Sequence, residues 1–130
     1  MGAPAAVVGD RITATCAVHL IPNPASGIPQ PGPPLPFTAP VTTGTCPTVL
    51  MAGKPAVVVG AQGMNAPPHV GLHPADPFFA PPMQTGVVVA GSATVLLGGT
   101  PAGRSGDACT ACGLPGATLM GTATTVLVGG

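Results

Sequence analysis

One short phrase occurs three times in this chain, and it constrains the fold more than any other feature. Gly2-Ala-Pro-Ala-Ala-Val-Val-Gly-Asp10, Gly53-Lys-Pro-Ala-Val-Val-Val-Gly60 and Gly99-Thr-Pro-Ala-Gly-Arg-Ser-Gly-Asp107 each read glycine, one residue, Pro-Ala, with a further glycine seven positions after the first. A second phrase, Thr-Val-Leu-X-X-Gly, fills 48–53, 94–99 and 125–130. The chain of 130 residues therefore divides into repeats of about 2–52, 53–98 and 99–130 inside a single domain, 1–130. A repeat this small cannot bury its apolar face alone and must stack on its neighbours.

The repeat has a local physical reading. Thr-Val-Leu-X is β-branched and apolar and predicts a short strand. Gly-X-Pro-Ala predicts a turn, because glycine permits positive φ and proline presets φ near −65°. Val57 to Val59 then predict the returning strand of a β-hairpin. A lone hairpin is marginal in water, so three should pack together with pseudo-threefold symmetry. The expected class is mainly β with no significant helix, since strong helix formers are scarce.

Two insertions interrupt this plan. Residues 22–40 hold eight prolines and 67–82 hold six. Such runs favour polyproline II and are expected to form loops rather than central strands. All three phenylalanines, Phe37, Phe78 and Phe79, lie in these runs, so ordered loops packed on the hairpins are expected.

Charge excludes several functions. Three cations balance three anions, and charged residues make up 5% of the chain. No basic patch exists to bind nucleic acid by counterion release. The most apolar stretch, Val87 to Leu97, is broken by Gly91, Ser92 and Thr94 and is too short for a membrane span. No signal peptide is legible at the N-terminus. There is no glutamate, no nucleophile elbow and no phosphate loop, which argues against an enzyme.

Cysteine and histidine carry the remaining chemistry. Cys16 and His19, His69 and His73, and Cys109 and Cys112 follow the Pro-Ala phrase in the first, second and third repeats, while Cys46 lies elsewhere. Three hairpins meeting at a point could gather four such side chains around a structural zinc. The competing readings are a Cys16–Cys112 disulfide, a Cys109/Cys112 redox pair and ordinary surface histidines.

These phrases resemble the PAAR repeat, named for Pro-Ala-Ala-Arg. Val7 and Val58 stand at its fourth position in the first two repeats and Arg104 in the third, and Ala61 replaces a usual aspartate. The resemblance implies a small cone on the blunt end of a trimeric spike of the VgrG kind, one tip chain per trimer, tied near its vertex by one zinc ion. It implies a ligand set of His19, His69, His73 and one cysteine, best Cys112, with Cys109 and Cys16 as alternates. The implied function is to cap and sharpen the spike of a contractile injection system, phage-tail-like or type VI, for transient piercing of a target membrane. Docking of effectors at the same tip is the alternative, and a free metal-binding or redox protein a more distant one. The expected spike contacts are Thr48, Val49, Leu50, Thr94, Val95, Leu96, Thr125, Val126 and Leu127, within 48–58, 94–102 and 125–130. The implied location is a particle assembled in the bacterial cytoplasm and delivered outside the cell.

Overall fold

The computed structural model describes residues 2–17, 19–80 and 83–129. Pro81 and Pro82, which close the second proline run, and Gly130, the last residue of the third Thr-Val-Leu phrase, lie outside the described residues. The architecture is all strand and turn, with no helix among the described elements. Among the described residues no helix is long and apolar enough to cross a membrane.

Six strands close into a barrel in the order β12 (Ala108–Ala111), β13 (Leu114–Met120), β2 (Arg11–Cys16), β5 (Leu35–Thr43), β8 (Gln62–Met64) and β9 (Thr85–Val88). Within it β2 pairs β5, β8 pairs β9 and β12 pairs β13, all antiparallel, so each repeat contributes one strand pair. Alternate residues point inward, among them Ile12, Cys16, Phe37, Ala39, Val41, Val88, Cys109, Ala111, Ala117 and Leu119, all buried in one cluster. Eight strands leave a barrel interior just wide enough to fill with side chains, and six leave less. That explains the alanines and the glycine opposite the single large ring: a Cβ at Gly86 would lie 3.1 Å from Phe37 Cε1.

Four two-stranded ribbons stand outside the barrel: β3 (Leu20–Ile21) pairs with β4 (Gln30–Pro31) across the start of the first proline run, and the other three are β6 (Cys46–Met51) with β7 (Lys54–Ala56), β10 (Leu96–Leu97) with β11 (Thr100–Pro101), and β14 (Ala123–Val128) with β1 (Ala3–Ala5). The last three are the Thr-Val-Leu and Pro-Ala phrases, paired across the chain termini in the β14–β1 case. The turn register differs from the sequence expectation. Ala52 and Gly53 have φ of 52° and 80°, and Gly98 and Gly99 have 59° and 84°. Positive φ at both central residues is the tight hairpin turn whose twist matches its strands. Pro-Ala therefore starts the returning strand, and Val57 to Val59 run on into the middle of the molecule.

There the three repeats lock together by the same bonds taken in rotation. Ala6 N–H donates to Gly103 O at 3.2 Å, Gly103 N–H to Val57 O at 2.8 Å, and Val57 N–H to Ala6 O at 2.9 Å. Two residues further along, Val8 N–H donates to Pro55 O, Val59 N–H to Pro101 O and Ser105 N–H to Pro4 O, at 2.9, 3.0 and 2.8 Å. Single-residue bridges Ala5–Arg104, Val7–Ala56 and Val58–Ala102 follow the same rotation. A carboxylate steadies the turn that follows in two repeats: Asp10 Oδ2 accepts from Val7 N–H at 2.8 Å and Asp107 Oδ2 from Arg104 N–H at 2.7 Å.

The first proline run departs from expectation. Its last third is β5, a barrel strand flanked by β2 and β8, although it contains Pro36 and Pro40. Val41 N–H faces the β2 side, donating to Asp10 O, while Thr38 N–H donates to Asn65 Oδ1 on the other. Alternation along an antiparallel strand puts both prolines on Thr38's side, so β2 loses no donor. Phe37 is fully buried and Phe78 packs against the barrel core, but Phe79 is half exposed.

β8 crosses β5 closely enough that a Cβ on Gly63 would sit 2.2 Å from Pro40 O, a main-chain atom that cannot swing away. Gly63→Ala should therefore cost about 1–3 kcal/mol and lower the melting temperature. Gly129→Ala, where an added Cβ meets nothing within 4 Å, should leave it unchanged. Thermal unfolding followed by circular dichroism checks both.

Candidate metal centre

The strands that leave the central lock, β2, β8 and β12, run towards a common end, where each is joined to its returning strand. The β2–β5 connection is long, the β8–β9 connection carries the second proline run, and β12 returns to β13 through the two-residue turn Cys112–Gly113, at φ of 50° and 74°. Cys16 is the last residue of β2 and His19 follows it, His69 lies in the second connection, and Cys112 opens the tight turn. These four side chains are buried, and one ligand atom from each lies within 4.8 Å of all the others.

The outer partners of the two histidines decide which nitrogens face inward. His19 Nδ1 lies 3.1 Å from Asp76 Oδ2, so it carries the proton and donates to the carboxylate, leaving Nε2 bare. His69 Nε2 lies 2.6 Å from Pro36 O, an acceptor only, so it carries the proton and leaves Nδ1 bare. The two bare nitrogens face each other at 2.9 Å. Two lone pairs in that position repel unless a shared proton or a metal ion lies between them. Beside them Cys16 Sγ and Cys112 Sγ are 3.3 Å apart, and Cys112 Sγ is 3.6 Å from His19 Nε2.

The supports are themselves tied down. Asp76 accepts from Leu20 N–H and Phe78 N–H, each at 2.7 Å. Burial alone would raise its carboxyl, but these two donors and His19 outweigh burial and hold it below the usual range. Gln84 accepts from His69 N–H at 2.7 Å and donates to His69 O and Phe78 O at 3.1 and 3.0 Å. Burial pushes the Cys112 thiol up to about 12, helped by its contact with Cys16 and the charges of Cys16 and Asp76, and burial also raises Cys16. Without a cation both sulfurs are protonated thiols; with one they ligate as thiolates, and binding releases protons. Two imidazoles and two thiolates, all protein-supplied and buried, form a donor set that could hold a metal ion with no position left for substrate.

Three residues of the expected set meet here, His19, His69 and Cys112, and Cys16 completes the group. His73 is not in the cluster: its Nδ1 accepts from Ala75 N–H at 3.0 Å, and its own N–H donates to Leu20 O. Cys109 is also outside, because β12 turns it into the barrel, where its Sγ lies 3.6 Å from Asp107 O. Asp76 and Gln84 were not singled out in the sequence. Asp76 had a signal, being one of only three carboxylates in the chain and close after His69 and His73.

Compared with protein-family models, with curated proteins and with solved structures, the chain finds no match.

Replacing any one of Cys16, His19, His69 or Cys112 by alanine should abolish stoichiometric metal retention, whereas His73→Ala and Cys109→Ala should keep it. Asp76→Asn should weaken affinity by about 10–100-fold, the usual effect of losing an outer partner of a metal-bound histidine. Elemental analysis of the purified variants and competition with a chromogenic chelator check these outcomes.

Proposed function

We propose that this chain is a structural tip protein, a pseudo-threefold cone that caps a trimeric spike and is tied at its narrow end by zinc. The rotating triplets of main-chain hydrogen bonds carry the reading, since they put three non-identical repeats into equivalent positions around one line. The PAAR-like phrases supply the same reading from the sequence.

The ribbons support a docking role. Leu50, Leu96 and Leu127 occupy matching places, one on each ribbon, and are 61, 58 and 63% exposed. Their neighbours Val49, Val95 and Val126 are half-buried and Thr48, Thr94 and Thr125 exposed, the same pattern each time. An exposed apolar side chain repeated in register suits a partner with three equal faces. One pseudo-threefold chain satisfies such a trimer without forming a trimer of its own. Ribbon edges also offer unpaired main-chain groups for strand addition. Two thiolates and two imidazoles in a closed site suit tetrahedral zinc, which would stand in for the hydrophobic core a narrow end cannot hold.

Co-expression with a trimeric spike protein of this class and native mass measurement of the complex tests the proposal. One tip chain per three spike chains is expected, and Leu50→Asp, Leu96→Asp and Leu127→Asp combined should abolish the complex while leaving the metal bound. Three tip chains per spike, or no complex with the unaltered protein, contradicts it.

A further inference from the structure

We propose that Cys16 and Cys112 form a second, covalent tie: a hydroperoxide converts them to a disulfide that replaces the metal as the link between the first and third repeats. The two sulfurs are already 3.3 Å apart, so bond formation closes about 1.3 Å. Each cysteine stands where a small shift is available, Cys16 at the end of β2 and Cys112 at the first position of a two-residue turn. The other two cysteines have no thiol at hand among the described residues: Cys46 Sγ contacts Thr48 Oγ1 at 3.3 Å, and Cys109 Sγ faces Asp107 O.

A groove reaches the chain beside this pair. β2 and β13 pair only through Arg11, Ile12 and Thr13, then separate. The gap is a groove of about 620 Å³ lined by Thr15, Cys16 and Ala17 on one wall and by Leu114, Pro115 and Gly116 on the other. Of the two cysteines only Cys16 borders it, with its side chain turned inward and buried, so a local opening of the end of β2 admits the oxidant.

The chemistry balances without a further reagent. Cys16 gives up its proton and, as the thiolate, attacks one oxygen of hydrogen peroxide; the O–O bond breaks, the departing hydroxide takes up that proton as water, and a sulfenic acid is left. Cys112 sulfur then displaces the hydroxyl, giving the S–S bond and a second water. The two sulfurs lose two electrons to the peroxide, and both thiol protons end in water. His19 and His69 remain as the sole ligands and hold a metal weakly. The new crosslink spans 96 positions of sequence, a long loop whose closure restricts the unfolded chain. The end of the barrel is thus tied by metal in a reducing compartment and by a disulfide in an oxidising one.

The inference rests on the metal reading only for the loaded state, and the test separates the two. Metal content is measured first on the protein as purified. Metal-stripped protein is then treated with hydrogen peroxide, alkylated and mapped by mass spectrometry. The expected result is a mass loss of about 2 Da, two of the four thiols consumed, and a single crosslinked pair joining the peptides of Cys16 and Cys112. In the loaded protein the same oxidation should release the metal in step with thiol loss, and dithiothreitol should reverse it. Cys109→Ser should leave the crosslink intact. A Cys109–Cys112 or intermolecular disulfide, or oxidation of Cys16 stopping at sulfinic acid with Cys112 still free, overturns the proposal. A protein that holds no metal yet forms the 16–112 disulfide upholds it while removing the metal reading.

Discussion

Three main-chain amides, those of Ala6, Val57 and Gly103, each donate to the next around a closed ring. The rest of the fold depends on that ring. Residues before it form the ribbons, and residues after it turn through Gly9, Gly60 and Gly106 into the barrel strands. Backbone bonds of this kind need no particular side chain, which is why Ala6, Val57 and Gly103 can differ. They do need neighbouring backbones to come close, and here the glycine content has its use: a Cβ on Gly103 would lie 2.9 Å from Val57 Cγ1 and 3.1 Å from Leu119 Cδ2. The scarcity of bulky side chains in the core follows from the same geometry, since a narrow six-stranded barrel has room for mostly small residues around Ile12, Phe37 and Leu119.

The end of the barrel away from the ring faces a different problem. Two of the three strand connections are long and proline-rich, and prolines contribute no donors to hold them. Order comes from the short β3–β4 ribbon, a few main-chain bonds such as His73 N–H to Leu20 O, and polar side chains. Asp76 joins the second connection to His19 and Leu20 of the first, Gln84 binds both ends of the 69–78 segment, and Asn65 reaches Thr38 on β5. This network orients two imidazoles so that their bare nitrogens converge beside two thiols. A buried cluster of this composition could take up a metal ion, and binding there would be coupled to folding of this end.

Much of this was legible in the residues. The threefold phrase made the β class and the matching exposure of Thr48, Thr94 and Thr125 legible, because repetition is visible at any distance in sequence. His19, His69 and Cys112 were within reach through the resemblance, which also named His73 and kept Cys16 as an alternate. The remainder depended on effects a repeat does not encode. The hairpin turn falls on Ala52-Gly53 and Gly98-Gly99 rather than on Gly-X-Pro-Ala, since two successive positive φ angles outweigh the preference of proline for turns. Pro36 and Pro40 enter a barrel strand because both fall on the face whose donors β2 does not use. His73 resembles His69 in one dimension, but it sits four residues further along a turning loop and meets the backbone of Ala75 instead. Cys16 rather than a third histidine completes the cluster because β2 ends there, opposite the tight turn of Cys112.

On the reading proposed above, Cys16, His19, His69 and Cys112 hold one metal ion and so close the end of the barrel where the strand connections meet. X-ray absorption at the zinc K edge on the purified protein tests this most directly. The predicted spectrum fits two sulfur neighbours at about 2.3 Å and two nitrogen neighbours at about 2.0–2.1 Å, with no oxygen shell. A first shell of oxygen and nitrogen alone, or one of three imidazoles and a single sulfur, would contradict it.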